Sequence, residues 1–310
     1  MKGKSLFTIT RPVDPRKMLP QVNNYHPGSS TTVPKVDIET LVETKLPPSP
    51  GGVMRITTVL RDYNASTSKI AEAINFEPAL VTRILRLANS PLYALEKNVA
   101  TIQNAIGAVG TLTIHDIVMM ELTSATFAKA IYRSPQVKKI WQHSLAVGLL
   151  CRELSKVLKN RGTEEAFICG LLHDVGKIIL LTHDADAFSD VSQASTEGEM
   201  LRAEVARFGY NHAEVGALVA RRWGLPDEVC LSILNHHDPS QSDQPMIVTH
   251  IVDVADLIVN SNDIGLRLED AARLENAESV IKLGLTVEQL DAAWERVEQS
   301  LNEVVSAFSN

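Results

Sequence analysis

The stretch Gly170–Lys177 reads Gly-Leu-Leu-His-Asp-Val-Gly-Lys and places a histidine next to an aspartate inside a long apolar segment. Because apolar residues flank the pair on both sides, we expect both side chains to be buried. Adjacent residues on a helix differ in direction by about 100°, which lets His173 and Asp174 lean toward one cavity. A buried carboxylate needs a compensating partner. Two interpretations are open: a hydrogen bond within the pair, or a shared metal ion.

Apolar residues fall mainly at three- and four-residue intervals along the 310-residue chain, which is the spacing of amphipathic helices. Hydrophobic residues make up 45% of the sequence and aromatic residues only 5%. We therefore predict an all-α protein. The three cysteines, Cys151, Cys169 and Cys230, stand singly in apolar segments. This pattern predicts buried, reduced thiols and a cytoplasmic localisation.

Residues 1–36 differ in composition from the rest of the chain. They contain five prolines and show no periodic apolar face, which predicts a disordered or extended leader. Six basic residues against one acidic residue give this leader a charge of +5, and the formal charge of −7 then leaves −12 for residues 37–310. Residues 37–310 are therefore acidic, whereas nucleic-acid-binding proteins typically carry an excess of basic residues. No apolar region follows the basic amino terminus and no run reaches bilayer length, so we expect no membrane contact.

The remaining chain divides into predicted helical subdomains. An amino-terminal subdomain covers 37–133, and the dipeptide Ser134-Pro135 begins a second subdomain that covers 134–260. Two short helices before Asn89 resemble a DNA-reading helix-turn-helix, but the second is too apolar to lie in a groove. Within 286–310, apolar spacings that alternate between three and four predict an amphipathic helix. That helix either packs on the body of the protein or forms a homodimer.

The second subdomain concentrates residues of the types that bind metals. Five of the nine histidines and two carboxylates form one candidate set in this subdomain, each on or at the end of a predicted helix: His143, His173, Asp174, His212, His236, His237 and Asp253. Imidazole and carboxylate ligands suit iron, manganese or zinc. A further pair, His115-Asp116, has no ligand-type residues after it at helical spacing, and we leave it out of the site.

The order of these residues is similar to the ligand order of the binuclear members of the HD superfamily of metal-dependent phosphohydrolases. In those enzymes the aspartate of the His-Asp pair bridges two divalent ions, which activate a water for attack on a phosphoester. The resemblance implies that Asp174 bridges two ions. It implies one ion held by His143, His173 and Asp253, and a second held by His212, His236 and His237.

Two further residues enter through the same resemblance. Lys177, in the His-Asp-x-Gly-Lys arrangement, would face a substrate phosphate or a carboxylate behind the ligands. Asp174 and Lys177 are therefore the candidate catalytic residues. Asp256 is three residues after Asp253 on the same predicted helix and stays an alternative to it.

A closer resemblance is to the HDOD family, the HD-related output domains of bacterial signalling proteins. The matching blocks are residues 46–50 (Leu-Pro-Pro-Ser-Pro), 77–80, 87–93, 170–177, 212–216 and 223–226. The resemblance implies an HDOD domain over 37–285, with a helical amino-terminal subdomain packed on an HD-type core. It also implies a regulatory module, because members of this family are regarded chiefly as such.

Two functions remain open from the sequence. The first is a signalling module that acts through ligand sensing or through contacts with a protein partner. The second is an active phosphohydrolase or phosphodiesterase that acts on a nucleotide or another phosphoester. HD-GYP phosphodiesterases, which open cyclic di-GMP, carry Gly-Tyr-Pro shortly after His-His. Residues 238–245 lack that signature, which disfavours cyclic di-GMP as the substrate.

Overall fold

The computed structural model describes residues 37–47, 51–60, 62, 64–90, 93, 95–159, 163–241, 246–266, 274 and 277–308. The leader predicted at 1–36 lies outside the described residues. Val36–Asn310 forms one compact unit. The regular structure of the described residues consists of α-helices and short 3-10 segments such as Pro239–Gln241, with no strand. The prediction of an all-α fold is confirmed.

The amino-terminal helices begin at capping residues that the sequence supplies. They are α1 (Ile38–Lys45), α2 (Gly51–Leu60), α3 (Thr67–Asn75), α4 (Pro78–Ala88), α5 (Ile102–Val109) and α6 (Thr111–Arg133). The side chains of Asp37, Ser66 and Thr101 accept hydrogen bonds from the first turns of α1, α3 and α5. In the pair that resembles a helix-turn-helix, α4 buries its apolar face, and Arg83 of α4 pairs with Glu121 of α6 at 2.8 Å.

The remaining ten helices begin with α7, which is buried along most of its length. They are α7 (Pro135–Val157), α8 (Thr163–Leu172), α9 (Val175–His183), α10 (Ala185–Val191), α11 (Glu197–Phe208), α12 (His212–Arg222), α13 (Asp227–Leu234), α14 (Ile247–Ser261), α15 (Glu278–Leu283) and α16 (Val287–Phe308). Helix α7 packs against α6, α8, α14 and α16, and α9 packs against α12. Proline at the first position of α7 explains the helix boundary that Ser134-Pro135 predicted. The subdomain boundaries themselves stay a prediction.

Glycines allow the helices around the site to approach closely. A Cβ atom added to Gly170 of α8 would lie 3.0 Å from the Cα atom of Gly148 in α7. A Cβ atom added to Gly176 of α9 would lie 1.9 Å from the carbonyl oxygen of His212, at the start of α12. Gly176 therefore determines how closely His212 approaches His173 and Asp174.

One apolar segment is long enough to span a bilayer, although we expected no such run from the sequence. Glu165–His183 is long and apolar enough to cross a membrane by length and composition, and so are α5 and α6 taken as one span bent by 116°. However, 89% of the apolar window in Glu165–His183 is buried inside this fold. The segment is therefore part of the core, where α8 and α9 are packed on all sides.

The carboxyl-terminal helix α16 packs on the body of the protein. Its apolar seam, which includes Leu290, Val297 and Val304, is buried. A capping box begins the helix, since Thr286 N–H donates to Gln289 Oε1 at 3.0 Å and Gln289 N–H donates to Thr286 Oγ1 at 3.4 Å. At the other end, a side-chain nitrogen of Arg86 in α4 donates to the carbonyl oxygen of Ala307. Of the two alternatives for this helix, packing on the body is the one observed.

Candidate metal centre

Six of the seven predicted ligands converge, and they come from four parts of the chain. His143 lies within α7, His212 begins α12, and His236-His237 follows Asn235, the C-cap residue of α13. His173 and Asp174 occupy the turn between α8 and α9, and not one continuous helix as the sequence suggested. Asp174 is the N-cap residue of α9. The turn directs both side chains toward the same buried space.

The first group of ligands faces one oxygen of Asp174. His143 Nε2 and His173 Nε2 lie 3.3 Å apart, and they lie 3.8 Å and 3.5 Å from Asp174 Oδ2. These three residues can hold a metal ion together. Asp256 Oδ1 from α14 completes the group at 2.8 Å from His143 Nε2 and 3.5 Å from His173 Nε2.

The structure places Asp256, and not Asp253, against the histidines. Asp253 Oδ2 accepts a hydrogen bond from Ser279 Oγ of α15 at 2.5 Å. Three residues along a helix correspond to about 300° of rotation, so two side chains at this spacing point about 60° apart. That difference is enough to direct Asp253 toward α15 and Asp256 into the site. We therefore replace Asp253 by Asp256 in the ligand set.

The second group faces the other oxygen of Asp174. His212 Nε2 lies 3.3 Å and His236 Nε2 lies 3.9 Å from Asp174 Oδ1. His237 Nε2 lies 2.8 Å from His212 Nε2. Asp174, His212, His236 and His237 can also hold a metal ion together. Because each oxygen of Asp174 faces a different group, this carboxylate has the position of a bridging ligand.

Backbone carbonyls and one carboxylate fix the orientation of four imidazole rings. The Nδ1 contacts are His143 with the carbonyl of Ile264 at 2.6 Å, His173 with that of Gly170 at 2.7 Å, His236 with that of Ile233 at 2.6 Å, and His212 with Glu204 Oε2 at 2.8 Å. Because a carbonyl or a carboxylate oxygen only accepts, each Nδ1 carries the hydrogen. With the hydrogen on Nδ1, the unprotonated Nε2 of each ring can offer its lone pair to the site, as in metal-binding histidines.

The donor set fits a divalent ion in each group. Two ligands of one tetrahedral or octahedral ion with bonds of about 2.1 Å lie about 3.0–3.5 Å apart. The separations here run from 2.8 Å to 3.9 Å. Asp174 Oδ1 and His236 Nε2 are buried without a hydrogen-bond partner among the described residues. A cation would satisfy both atoms.

The pKa shifts of Asp174, His236 and His237 favour the binding of a cation. Burial alone would raise the pKa of Asp174, but Lys177, His173 and His212 hold it well below its usual value. Burial and the neighbouring imidazoles keep the pKa of His236 well below its usual value, and the same holds for His237. A charged carboxylate and neutral imidazoles are the protonation states that bind metal.

Lys177 and Glu197 close the site on the side of α11. Lys177 Nζ donates to Asp174 Oδ2 at 2.9 Å. Glu197 Oε1 lies 3.8 Å from that nitrogen and 3.2 Å from His237 Nε2. The cavity that remains beside His143, Asp174 and Lys177 has a volume of about 10 Å³. A space of this size holds about one water molecule.

Sequence reasoning missed the two glutamates of α11. Glu204 is fully buried, and its Oε2 accepts hydrogen bonds from both the backbone N–H and the ring Nδ1 of His212. A signal was present, since Glu204 stands midway between the buried residues Met200 and Phe208 at four-residue spacing. Glu197 lies at the start of the same helix, and no apolar periodicity marks it.

The pair His115-Asp116, left out of the predicted site, lies within α6. Asp116 Oδ2 accepts a hydrogen bond from Arg152 of α7 at 3.1 Å. Asp116 thus has a cationic side chain as its partner, and neither residue belongs to the two groups of metal-binding type found among the described residues.

The profile of the HDOD domain matches residues 46–239, which is more than half of the chain. The chain belongs to the HDOD family. The match lies inside the span 37–285 that the sequence resemblance implied. This HDOD protein is also 25% identical to an uncharacterised protein of Treponema pallidum over 235 residues, which is 74% of the chain and 44% of the relative.

Other relatives of this HDOD protein are ribonucleases Y. The one from Desulfotalea psychrophila is 28% identical over 151 residues, which is 49% of the chain and 22% of the relative. The chain thus spans less than half the length of these curated relatives.

Solved structures show the same fold. An HDOD domain protein of unknown function from Geobacter sulfurreducens has a TM-score of 0.69 at 24% identity, covering 88% of this chain and 99% of that one. A candidate phosphohydrolase from Shewanella amazonensis has the same TM-score and identity, covering 87% and 96%.

Proposed function

We propose that this HDOD protein is a bacterial regulatory module. In this proposal an HD-type centre of two divalent ions holds the helices in one arrangement, and the protein acts through contacts with a protein partner and not by turning over a substrate. The observation that carries the proposal is that the described residues supply ligands for two ions, while the cavity beside His143, Asp174 and Lys177 has a volume of only about 10 Å³. The three buried free thiols support a cytoplasmic setting.

A closed site is typical of a structural metal centre. Catalytic centres keep a ligand position open for water or substrate, whereas structural centres are enclosed by protein. Here the residual cavity of about 10 Å³ is far smaller than any phosphoester. Lys177, the residue that would contact a substrate phosphate, is only 8% exposed and is bonded to Asp174.

The ligands join parts of the fold that are distant in sequence. Two bound ions would neutralise the buried carboxylates and link α7, α12, α14 and the segments that end α8 and α13. Asp174 contributes one oxygen to each group of ligands. The carbonyls of Gly170, Ile233 and Ile264 fix the orientation of three of the imidazole rings. Occupancy of the centre therefore fixes the relative positions of helices whose outer faces a partner can contact.

A second candidate function is metal-dependent hydrolysis of a phosphodiester. The same donor set together with Lys177 supports it, and so does the similarity to proteins named ribonuclease Y at 24–28% identity. In that case Lys177 and Glu197 would have to move away from Asp174 and His237 before a phosphate could reach the ions. The acidic body of the chain disfavours RNA as the substrate.

Metal content and turnover together test the proposal. We would purify the protein without added metal or chelator and measure metals by elemental analysis, beside Asp174→Ala and beside Asp190→Ala, which changes an exposed aspartate. We expect about two equivalents in the wild type and in Asp190→Ala, and a large loss in Asp174→Ala. Each protein would then be assayed with bis(p-nitrophenyl) phosphate and a short RNA in the presence of Mn²⁺.

The expected result is bound metal with no turnover above that of Asp174→Ala. Metal-dependent turnover that Asp174→Ala abolishes would replace the regulatory proposal with the hydrolase. Absence of metal from the wild type, even after Fe²⁺, Mn²⁺ and Zn²⁺ are supplied, would remove the metal centre from both functions.

A further inference from the structure

A second cavity lies between α7 and α16, on residues that the metal centre does not use. It has a volume of about 430 Å³, and its polar lining includes Arg152, Glu153 and Lys156 of α7 and Arg296, Gln299 and Glu303 of α16. This volume is within the range of about 300–1,000 Å³ that is typical of small-molecule sites. This cavity has room for a metabolite, whereas the one of about 10 Å³ beside the metal centre does not.

The charge of this groove differs from that of its surroundings. Three cations and two carboxylates line it, a local charge of +1, whereas residues 37–310 carry −12. Glu153 brings two of the cations together, because its Oε1 accepts from Lys156 Nζ at 2.8 Å and its Oε2 accepts from Arg296 Nε at 3.1 Å. A guanidinium has five N–H donors and an ammonium has three, so both cations keep donors to spare.

Arg152 is held in a fixed position at the groove. Its Nη1 donates to Asp116 Oδ2 at 3.1 Å, and its guanidinium carbon lies 5.9 Å from the centre of the Phe167 ring. The Nε atom is buried and has no hydrogen-bond partner in the described part of the chain, with Glu153 Oε1 3.9 Å away. A buried donor without an acceptor is uncommon in native proteins and indicates a missing ligand or water.

The opposite wall offers an unused acceptor. Glu303 Oε2 is buried and is likewise without a hydrogen-bond partner among the described residues. Glu303 is seven residues after Arg296, so the two lie about 10 Å apart along the axis of α16. The groove therefore presents cationic donors at one end and an acceptor at the other.

We propose that this groove binds a small phosphate-bearing molecule of nucleotide size. The phosphate contacts Arg152, Lys156 and Arg296, and a donor group at the far end of the ligand contacts Glu303 and Gln299. Because Arg152 and the metal ligand His143 lie on the same helix, nine residues apart, the ligand contacts an element of the metal centre without entering it.

Calorimetric titration of the 310-residue chain tests the proposal, with GMP, ribose 5-phosphate, inorganic phosphate and guanosine as the four probes. We expect GMP to bind and guanosine not to bind. Lys156→Gln and Arg296→Gln should each weaken GMP binding about tenfold or more, because each removes charge-assisted hydrogen bonds to the phosphate. Lys138→Gln, an exposed change on the same helix, should bind GMP as the wild type does.

Asp190→Ala, an exposed change outside both sites, should also bind GMP with unchanged affinity. Lys156 and Arg296 are not among the candidate metal ligands, so a loss of GMP binding in their variants assigns the binding to this groove. Ribose 5-phosphate that binds as tightly as GMP would support a sugar phosphate as the natural ligand. The proposal is overturned if no phosphate compound binds, if guanosine or inorganic phosphate binds as tightly as GMP, or if the Lys156 and Arg296 variants retain wild-type affinity. Circular dichroism of each variant checks that it is folded.

Discussion

Asp253 and Asp256 stand one turn apart on α14 and meet different partners. Asp256 Oδ1 lies 2.8 Å from His143 Nε2, whereas Asp253 accepts from Ser279. We expect Asp256→Asn to lower the metal content by about one of the two ions, since an amide oxygen is a weaker ligand for a first-row cation. Asp253→Asn is the matched control and should keep the wild-type content. Elemental analysis that shows the reverse pattern would restore Asp253 as the ligand.

Glu204 orients His212 through two hydrogen bonds to a single carboxylate oxygen. Glu204→Gln keeps the shape of the side chain but removes its charge. We expect the affinity for the second ion to fall about 10- to 100-fold, the usual effect of changing the partner of a metal-binding histidine. Competition with a chromophoric chelator measures this change, with Glu199→Gln on the same helix as the control. Equal affinity in both variants would show that the backbone alone orients His212.

At the scale of residues, the sequence predicted six of the candidate ligands that the structure places together. His143, His212 and the His173-Asp174 and His236-His237 pairs stand on or beside apolar helical faces, and the structure brings them together. Asp256 and Glu204 were harder to assign. Their roles depend on how α14 and α11 rotate against neighbours, and a pattern along one helix does not determine that rotation.

At the scale of elements, the close contact between α9 and α12 depends on Gly176, which has no side chain. A Cβ atom at Gly176 would lie 1.9 Å from the His212 carbonyl oxygen, so Gly176→Ala must push the two helices apart. We expect a loss of about 1–3 kcal/mol in the free energy of unfolding, together with weaker metal binding through His212. Urea denaturation with metal analysis measures both effects.

Gly107 in α5 provides the control for that substitution. A Cβ atom there meets nothing within 4 Å, and the residue lies within a helix. Gly107→Ala should therefore stabilise the protein by about 0.4–1 kcal/mol, because alanine restricts the unfolded chain. Similar unfolding curves for the two variants would contradict the close approach at Gly176.

The starts of several helices could be predicted from capping residues in the sequence, whereas the contacts that cover the site could not. Ser66, Thr101 and Ser134 cap helices through their own side chains, and such signals can be recognised in a sequence. Glu197, which covers one side of the site, lies at the start of α11. That helix follows α10 and a turn in the chain. Glu197 meets His237 at 3.2 Å across forty residues of sequence, and only packing between distant elements determines such a contact.

At the scale of the whole molecule, α16 joins the amino-terminal helices to α7. Arg83 lies 5.1 Å from the centre of the Phe308 ring, and Ser124 Oγ donates to the Phe308 carbonyl oxygen at 3.4 Å. The heptad-like pattern of this helix predicted an apolar seam, but the sequence could not decide which surface covers it. In the structure, the surface that covers Leu290, Val297 and Val304 belongs to the same chain.

Val304 tests this intramolecular packing, because it is 1% exposed and lies in the seam. Val304→Asp buries an unpaired charge and should lower the free energy of unfolding by about 3 kcal/mol or more, while Asn302→Asp at an exposed position should change it little. The thermal midpoint of the wild type should not depend on protein concentration, since no subunit contact contributes through this seam. A midpoint that rises with concentration, and that Val304→Asp makes independent of concentration, would show instead that the seam joins two chains.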